Sequence, residues 1–452
     1  MDICRTFNVP PSVIGAVKRI IAIGDIHGDF TFLIFLLKIA RVIDYKNEND
    51  YEWIGGETHV VQLGDQIDNC RPTNFLCSEQ KNSPNDRAED TKIIDFMYEL
   101  DIRAQKMGGR VISLLGNHEL LNLSGEMSYV SHKNIQEFGT VKERIKSFSS
   151  KGKYGKKLIC THPTAIIIGS NLFVHAGILP DVLEILPNLK NIVDEYSTDT
   201  HELNNSKKND DIIREFILKC LRGDINKRDV ISLIFSSGNT KYLKFLEIIF
   251  KGSSRSVAEN NIDRIMQLIN KLPKLKEIFI KNIYKLESAV ESRPMNEIEI
   301  INHVIKQWLM GNVSNKHNDE IQKLNSLFWT RIFGGLPKNE LAASNNTCKT
   351  MVQPILKTFN VRNLIIAHTP QFDANQVGIN ATCVDAQIPT KPFDNGDCIN
   401  ENSKQGVWRV DIGGAETFNK FDSEYIKTSK VSQARRPQVL EILNDSCFNI
   451  LY

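Results

Sequence analysis

Three short polar segments of the chain carry Asp, His and Asn residues, and each directly follows an apolar run. The segments are residues 24–29 (GDIHGD), 64–69 (GDQIDN) and 116–119 (GNHE), and the runs are residues 20–23, 60–63 and 111–115. Runs of this length indicate buried strands. Ligands of α/β sheets bind outside the carboxyl ends of the strands, so we expect these side chains to gather at one edge. Carboxylate oxygens and imidazole nitrogens are metal ligands, and the sequence therefore predicts a metal centre there.

Two further strand-like runs end in histidine, at His175 and His368, and they complete a predicted two-metal site. The predicted ligands are Asp25, His27, Asp65, Asn117, His175 and His368. Two cations about 3.5 to 4 Å apart need one shared carboxylate, and Asp65, central in the motif order, is the expected bridge. Asp25 and His27 are expected to bind the first ion and the remaining three ligands the second. The ions lower the pKa of a bound water, so the predicted nucleophile is metal-bound hydroxide attacking phosphorus.

A catalytic dyad is predicted beside these ligands. His118 follows Asn117 directly, so it should face the same opening without binding metal. Protonated, it would act as general acid towards the leaving alkoxide, a role worth roughly 10² to 10⁴ in rate. Asp68 lies three residues past the bridging aspartate. Its carboxylate is expected to orient the imidazole and to raise its pKa.

Composition narrows the possible partners. The 452 residues include 56 Lys and Arg against 54 Asp and Glu, a formal charge of +2, so no basic field indicates a nucleic acid or a membrane surface.

The nine cysteines show no CxxC spacing, which predicts reduced thiols in an intracellular compartment. The first residues do not resemble a signal peptide, and no apolar run approaches the roughly 18 residues of a membrane span. We therefore expect a soluble, cytoplasmic protein.

The order of predicted elements indicates an α/β fold with an insertion. Strands are predicted near residues 18–23, 57–63, 110–115, 165–168, 172–174, 363–367, 407–412 and 438–443, with helices near 30–40 and 91–107. Between them lies a segment rich in Lys, Glu, Asn, Ile and Leu at helical spacing, with helices near 212–221, 242–250, 262–272 and 298–309. The predicted parts are residues 1–180, a helical insertion at 181–325, and residues 326–452. The insertion is predicted to be a set of solvated helices, with a docking surface for a protein partner as the alternative.

The five motifs resemble those of the calcineurin-like metallophosphoesterases of the phosphoprotein-phosphatase type, which run GDxHG, GDxxDR, GNHE, HxG and a late GH. Residues 116–125 (GNHELLNLSG) and 368–371 (HTPQ) look most like Shewanella-like phosphatases and their relatives in large DNA viruses. The resemblance implies a four-layer sandwich of two mixed β-sheets flanked by helices. It also implies the six ligands named above, His118 and Asp68 as acid–base residues, and two Mn, Fe or Zn ions. The implied activity is hydrolysis of phosphomonoesters on proteins, in the host cytoplasm or the virion if the chain is viral.

One departure from the family pattern concerns phosphate binding. Asn69 stands where the family has an arginine, so a bidentate clamp on the substrate phosphate is missing. Arg71 and Arg331 are the candidate replacements, and Arg331 is preferred because residues 328–331 resume the family-like segment. Ala367 replaces the usual glycine before His368, which costs space at a tight turn.

Three functions are compatible with these residues. The leading hypothesis is a protein phosphatase that acts on phosphoserine and phosphothreonine or on phosphotyrosine. The second keeps the metal centre but gives it small phosphoesters such as dinucleoside polyphosphates. The third, motivated by Asn69, is a non-catalytic protein that retains metals and binds through its insertion. The oligomeric state stays open.

Overall fold

The computed structural model of the chain describes residues 3–4, 6–72, 76–80, 86–197, 295–385, 405–419 and 435–452. The chain divides into two compact units, and the larger comprises Asp2–Ala104, Gly109–Tyr196 and Glu297–Tyr452. This larger unit holds both main sheets. The predicted helices at 212–221, 242–250 and 262–272 lie outside the described residues, so the insertion at 181–325 stays a prediction.

The first sheet has five strands in the order β13-β12-β2-β5-β6. Their ranges are Arg19–Ile23 (β2), His59–Gln62 (β5), Arg110–Ser113 (β6), Val439–Leu443 (β12) and Cys447–Leu451 (β13). Strands β2, β5 and β6 are parallel, whereas β12 runs antiparallel to both β2 and β13. The sheet is therefore mixed, and its three parallel strands end at the same edge.

The second sheet has six strands in the order β1-β7-β8-β9-β11-β10. Their ranges are Val13–Ile14 (β1), Ala165–Ile168 (β7), Asn171–Val174 (β8), Asn363–Ile366 (β9), Asn380–Thr382 (β10) and Gly406–Arg409 (β11). Strands β8, β9 and β11 are parallel, and β7 and β10 run antiparallel to their neighbours β8 and β11. A separate ribbon pairs β3 (Ile43–Asn47) with β4 (Asp50–Trp53).

Helices cover the outer faces of both sheets. Those before the insertion are α1 (Phe30–Ile39), α2 (Asp90–Lys106), α3 (Asn117–Ser124), α4 (His132–Gln136), α5 (Val141–Phe148), α6 (Lys153–Thr161) and α7 (Pro180–Ser197). Those after it are α8 (Glu297–Leu309), α9 (Asn318–Leu324), α10 (Ser326–Trp329), α11 (Ile332–Gly335), α12 (Gln353–Thr358) and α13 (Gln371–Ala374). No described helix is both long enough and apolar enough to span a bilayer.

Alternating side chains of the six-stranded sheet build two cores. Ile166, Phe173 and Trp408 pack in one core with the five-stranded sheet and with α1 and α2. Their neighbours Ile167 and Leu172 pack in a second core with α7, α8 and α12. Successive strand residues point to opposite faces, so one sheet serves both cores. The layers are helix, sheet, sheet and helix, which confirms the predicted four-layer arrangement of two mixed sheets.

The predicted strands are observed to within a few residues, but five strands were missed: β1, β3, β4, β10 and β13. The strand near 438–443 is the last that the sequence predicts, whereas β13 follows it and takes the sheet edge. The missed strands are short or lie at sheet edges or in the separate ribbon, where an apolar run is not required.

Three disulfides link described cysteines, so the prediction of reduced thiols is wrong. The pairs are Cys4–Cys160, Cys70–Cys77 and Cys348–Cys383, with Cα atoms 5.2, 5.8 and 5.3 Å apart. These separations are ordinary for disulfides. The partners lie 156, 7 and 35 residues apart in sequence, and only folding brings them together. The cysteines therefore no longer support an intracellular location, because disulfides persist mainly in oxidising environments.

Candidate active site

Five strands, three from one sheet and two from the other, end at one site, and each is followed by side chains that the sequence analysis singled out. Strand β2 leads to Asp25 and His27, β5 to Asp65, and β6 to Asn117. From the other sheet, β8 leads to His175 and β9 to His368. All six side chains are buried, with at most 5% of each residue exposed. The two sheets therefore bring together every predicted metal ligand.

Asp65 lies at the centre of this cluster. Its Oδ2 is 3.4 Å from His175 Nε2 and 3.9 Å from both His27 Nε2 and His118 Nε2. Asp25 joins from one side, with Oδ2 3.6 Å from His27 Nε2. Ligand atoms of His27, Asp65 and His118 lie within 4.8 Å of one another, as do those of Asp65, His175 and His368. Asp65 is thus common to two groups of side chains that could each hold a cation.

Backbone hydrogen bonds aim the histidine rings. His175 Nδ1 lies 2.7 Å from Leu63 O, and His27 Nδ1 lies 3.3 Å from Ile67 O. A carbonyl oxygen only accepts, so Nδ1 of each ring carries the proton and donates. The lone pair of a neutral ring is then on Nε2, which faces Asp65 in both cases. Metal-binding histidines are commonly oriented by such a bond from the other nitrogen.

The donor set fits divalent metals. His368 Nε2 is buried and has no hydrogen-bond partner among the described residues, so a buried acceptor or donor faces the site unsatisfied. Such a group costs free energy unless something binds it. Imidazole nitrogens with carboxylate and amide oxygens suit Mn, Fe and Zn, and the residues present therefore fit the ions that the motifs predict.

Several site residues adopt left-handed backbone conformations. The φ angles are 47° at His27, 52° at Asp65, 70° at Asp68 and 64° at His368. Such conformations cost non-glycine residues about 1 to 3 kcal/mol each and are typical of functional sites. Two hydrogen bonds join the turn at residues 24–29 to the turn at residues 64–69. The N–H groups of Ile26 and His27 both donate to Asp65 O at 2.9 Å.

Gly64 and Gly116 allow the turn at residues 64–69 to approach the turn at residues 116–119 closely. A Cβ at Gly64, where φ is 93°, would lie 2.5 Å from Gly116 N. A Cβ at Gly116 would collide with the carboxylate of Asp65. The glycines of these motifs are therefore required by close backbone approach as well as by conformation.

Burial and neighbouring charges shift the pKa values of Asp25 and Asp65 in opposite directions. Burial, then the carboxylates of Asp411 and Asp65, hold the pKa of Asp25 well above its ordinary value. Burial also acts to raise the pKa of Asp65, but the imidazoles of His175, His118 and His27 outweigh it, so that pKa falls well below the ordinary value. Burial lowers the pKa of His368 to about 2, so this ring is neutral, as a metal ligand must be.

Asp411 is a site residue that the sequence analysis missed. It follows β11, the sixth strand that ends at this site, and is 1% exposed. One carboxylate oxygen accepts the N–H of Gly413 at 2.8 Å, while Oδ2 has no partner among the described residues. Burial raises the pKa of Asp411 to about 6. The signal was present, because an acidic residue followed by Ile412 and two glycines ends a strand-like run, as in the other motifs.

Glu119 is the second missed residue, and it fastens the turns. Its carboxylate accepts N–H groups of Asp65, Gln66 and Gly116, each at 2.8 Å. Burial raises its pKa to about 7, against the effect of these hydrogen bonds. The motif GNHE contains this residue, but only the folded structure shows that it reaches back to the preceding turn.

His118 and Asp68 form a buried pair beside the ligands. His118 Nδ1 lies 2.8 Å from Asp68 Oδ2. Since the carboxylate accepts, Nδ1 donates, and Nε2 faces Asp65 at the site. The backbone N–H of His118 also donates to Asp65 Oδ1 at 2.9 Å. His118 is therefore held at its ring by Asp68 and at its backbone by Asp65.

Both candidate arginines lie near the cluster. Arg71 donates from Nη1 to the carbonyls of Asp68 and Cys70 at 3.0 Å, and its guanidinium lies 5.0 Å from the ring centre of Phe418. Burial lowers the pKa of Arg71, against the attraction of the site carboxylates. Arg331 is exposed and donates from Nη1 to His368 O at 3.0 Å. Each places a positive charge at the margin of the site.

The two departures from the motifs have different surroundings. Asn69 is half-buried, and its Cβ lies beside Gly28, where an added Cβ would be 2.8 Å away. Ala367 is not among the residues with a left-handed backbone, and its N–H donates to His175 O at 2.7 Å. The alanine therefore meets no conformational penalty of the kind that favours glycine.

Comparison with known proteins gives consistent matches. The family model for calcineurin-like phosphoesterase matches residues 18–273, more than half of the chain. An uncharacterized protein of Acanthamoeba polyphaga mimivirus is 24% identical over 366 residues, which are 77% of this chain and 94% of that protein. Shewanella-like protein phosphatase 2 of Arabidopsis thaliana is 26% identical over 209 residues, 37% of this chain and 48% of that protein. Shewanella-like protein phosphatase 1 of Plasmodium berghei is 35% identical over 163 residues, 35% of this chain and 39% of that protein.

The chain spans nearly all of the mimivirus protein but less than half the length of the two phosphatases. The resemblance predicted from the motifs, to Shewanella-like phosphatases and to proteins of large DNA viruses, is confirmed.

Proposed function

This chain belongs to the calcineurin-like phosphoesterase family, and from that premise we propose that it is a two-metal phosphomonoesterase acting on phosphorylated proteins. The observation that carries the proposal is the pair of side-chain groups that share Asp65, together with the contact of His118, a member of the first group, to Asp68. Family membership makes the chain a hydrolase of phosphoric esters, which argues against a non-catalytic binding protein. The names of the plant and Plasmodium relatives favour proteins as the substrates.

Six side chains would hold the metals. Asp25, His27 and Asp65 would bind one ion, and Asp65, Asn117, His175 and His368 the other. When bound, such a pair of ions supplies charge that holds phosphoryl oxygens and activates water. Divalent Mn, Fe or Zn suits these donors, and titration with each would identify the preferred one.

The chain's own residues supply the proton. A proton on His118 Nε2 would pass to the leaving oxygen as the bond from phosphorus to that oxygen breaks and the bond to the attacking oxygen forms. Asp68 accepts from Nδ1 and keeps Nε2 aimed at the site. A proton donor matters most for a poor leaving group such as the alkoxide of serine or threonine.

Arg331 and Arg71 would bind the substrate phosphate in place of the arginine that Asn69 replaces. Arg331 is the stronger candidate, because it is exposed, whereas the guanidinium of Arg71 already donates to two carbonyls. A protein partner bound through residues 181–325, absence of nucleic-acid or membrane partners, and a cytoplasmic or virion location stay predictions.

The test uses the purified chain loaded with Mn²⁺ and a panel of phosphoserine, phosphothreonine and phosphotyrosine peptides, alongside a dinucleoside polyphosphate. We expect phosphate release from peptides, and loss of roughly 10² to 10⁴ in kcat for His118→Asn with serine or threonine substrates. Preferential turnover of the dinucleotide would favour the small-phosphoester alternative. No turnover that depends on His118 would defeat the proposal.

A further inference from the structure

A buried polar network contacts Asp68 and contains none of the predicted metal ligands. It joins Asn122 of α3, Arg144 of α5 and Asp90 at the start of α2. Arg144 and Asn122 are 0% exposed, as is Asp90, so none of the three contacts solvent or substrate. Whatever they contribute to the reaction must act through their neighbours.

Asn122 donates hydrogen bonds to the carboxylate of Asp68, which orients the predicted general acid His118. Its Nδ2 donates to Asp68 Oδ1 at 3.1 Å, to Asp68 Oδ2 at 3.0 Å and to His118 O at 3.0 Å. One amide group thus contacts both members of the pair. Rotation of the Asp68 carboxylate would break the two bonds from Asn122 to Asp68 together with the bond from His118 Nδ1.

Arg144 determines which way the Asn122 amide points. Its Nε and Nη2 donate to Asn122 Oδ1 at 3.2 and 2.9 Å. A reversed amide would place its oxygen against the carboxylate of Asp68 and its NH₂ against the guanidinium, so both contacts would become repulsive. The buried guanidinium therefore permits one amide orientation, in which Asn122 donates to Asp68.

Arg144 also fixes the backbone of Asp68 through Asp90. Arg144 Nη2 donates to Asp90 Oδ2 at 2.7 Å, and Asp90 Oδ1 accepts the N–H of Asp68 at 3.1 Å. A further ion pair of 3.8 Å joins Arg144 Nη2 to Asp68 Oδ1. The guanidinium lies 4.6 Å from the ring centre of Phe148, which holds it in place. Asp68, with its left-handed backbone, is thus fastened at both its N–H and its carboxylate.

We propose that Arg144 and Asn122 are positioning residues that hold Asp68, and through it His118, in the orientation needed to protonate the leaving group. The inference rests on the proposed phosphomonoesterase function. It assigns to α5, a helix that supplies no metal ligand, control over the proton-transfer part of the reaction. Metal binding and phosphate binding are left to other residues.

The test compares two substrates that differ only in leaving group, phenyl phosphate and p-nitrophenyl phosphate. Phenolate is the poorer leaving group and depends more on a proton donor. We expect Asn122→Leu to lower kcat/KM for phenyl phosphate by at least about 10-fold and for p-nitrophenyl phosphate by less than about 3-fold, within the range that a general acid contributes. Arg144→Lys keeps the charge but loses the forked geometry, and we expect the same selectivity with a smaller loss.

Asn171→Leu is the matched control. Asn171 is also 0% exposed and donates its Nδ2 to a carboxylate oxygen, that of Asp445 at 2.8 Å, at the opposite end of β8 from His175. We expect it to lower stability without changing the ratio of the two rates. Equal losses on both substrates for Asn122→Leu and Arg144→Lys, as in a merely destabilised protein, would overturn the proposal.

A double-mutant cycle adds a second criterion. If Asn122 acts only through the pair, Asn122→Leu should change kcat/KM for phenyl phosphate by less than about 2-fold in a His118→Asn background. A full additional loss there would mean that Asn122 serves something other than the general acid.

A readout without turnover separates this inference from the proposed function. Histidine NMR of the metal-free protein should detect a hydrogen-bonded Nδ1 proton on His118 in wild type and in Asn171→Leu. Its loss in Asn122→Leu would support the positioning role even if no phosphatase activity were found. Its retention in both Asn122→Leu and Arg144→Lys would refute it.

Discussion

Glu119 accepts the backbone N–H of Asp65 at 2.8 Å, so a carboxylate from the third motif holds the central aspartate of the second. The same carboxylate accepts the N–H of Gln66 and of Gly116. These N–H groups belong to turns after two adjacent strands, β5 and β6, and one side chain keeps them in register. The placement of Asp65, the predicted bridging ligand, therefore depends on a residue that is not itself a predicted ligand.

Glu119→Gln should weaken metal binding. The amide has one acceptor oxygen for three N–H donors, and its NH₂ group would face donors instead of acceptors. Outer-shell changes of this kind typically cost about 10- to 100-fold in metal affinity. Calorimetric titration of the metal-free protein with Mn²⁺ measures this, with Glu126→Gln, an exposed glutamate, as control. Equal affinities for the two variants would contradict the expectation.

Arg331→Gln should lower kcat/KM for a phosphopeptide more than Arg71→Gln does. A hydrogen bond to a charged group is worth about 1.5 to 3 kcal/mol, which corresponds to a loss of roughly 10- to 100-fold. Arg71 already donates to the carbonyls of Asp68 and Cys70, so fewer of its N–H groups are available. Steady-state kinetics measure both variants, with the exposed Arg362→Gln as control. The reverse ranking would assign the phosphate to Arg71.

His162 should make the metal-free protein sensitive to acid. Burial, then the charge of Lys157, lowers its pKa from 6.5 to about 3. The unfolded chain therefore binds a proton that the folded chain resists, so stability is complete above pH 6.5 and falls as the pH drops towards 3. The loss should approach about 1.4 kcal/mol per pH unit in this window.

Urea unfolding between pH 7 and pH 4 measures that slope, and His162→Gln should flatten it. His132→Gln, at a partly buried histidine whose ring lies 2.8 Å from the backbone carbonyl of Ser78, serves as the control. An unchanged slope in His162→Gln would show that other groups dominate the acid response.

The disulfides should differ in their contribution to stability according to loop length. Cys4–Cys160 joins residues 156 apart and Cys70–Cys77 residues 7 apart. In the chain-entropy model the longer loop is worth about 5 kcal/mol and the shorter about 2 kcal/mol. Denaturation of Cys4→Ser with Cys160→Ser, compared with Cys70→Ser with Cys77→Ser, measures the difference. A larger loss for the shorter loop would show that native contacts dominate.

The sequence predicted which side chains gather at the strand ends better than it predicted which residues support them. Asp25, His27 and Asp65 could be found because each follows a buried parallel strand, whose end determines where a side chain emerges. Arg144 gave no such signal, because it occupies one position of an amphipathic helix and its partners lie on other elements. Contacts of that kind depend on packing between distant segments, and the local sequence does not encode them.

The cysteines illustrate the same limit in another way. The spacing of cysteines in the sequence predicts only pairs that are close in the chain. Cys4 and Cys160 meet because the N-terminal segment passes next to α6. Asp411 follows β11, a strand that the sequence predicts, so its position at a strand end is encoded locally. The five family motifs do not include that position, and the resemblance therefore does not indicate it.

The left-handed backbone at His27, Asp65, Asp68 and His368 has a consequence for attempts to engineer this chain for heat tolerance. Glycine at His368, whose Nε2 has no hydrogen-bond partner among the described residues, would relieve the local conformational penalty, so a screen that scores only survival after heating would tend to enrich it. The survivors would lack a donor on which turnover is proposed to depend. Libraries should therefore hold these codons fixed and seek improvement at solvent-facing positions far from the strand ends.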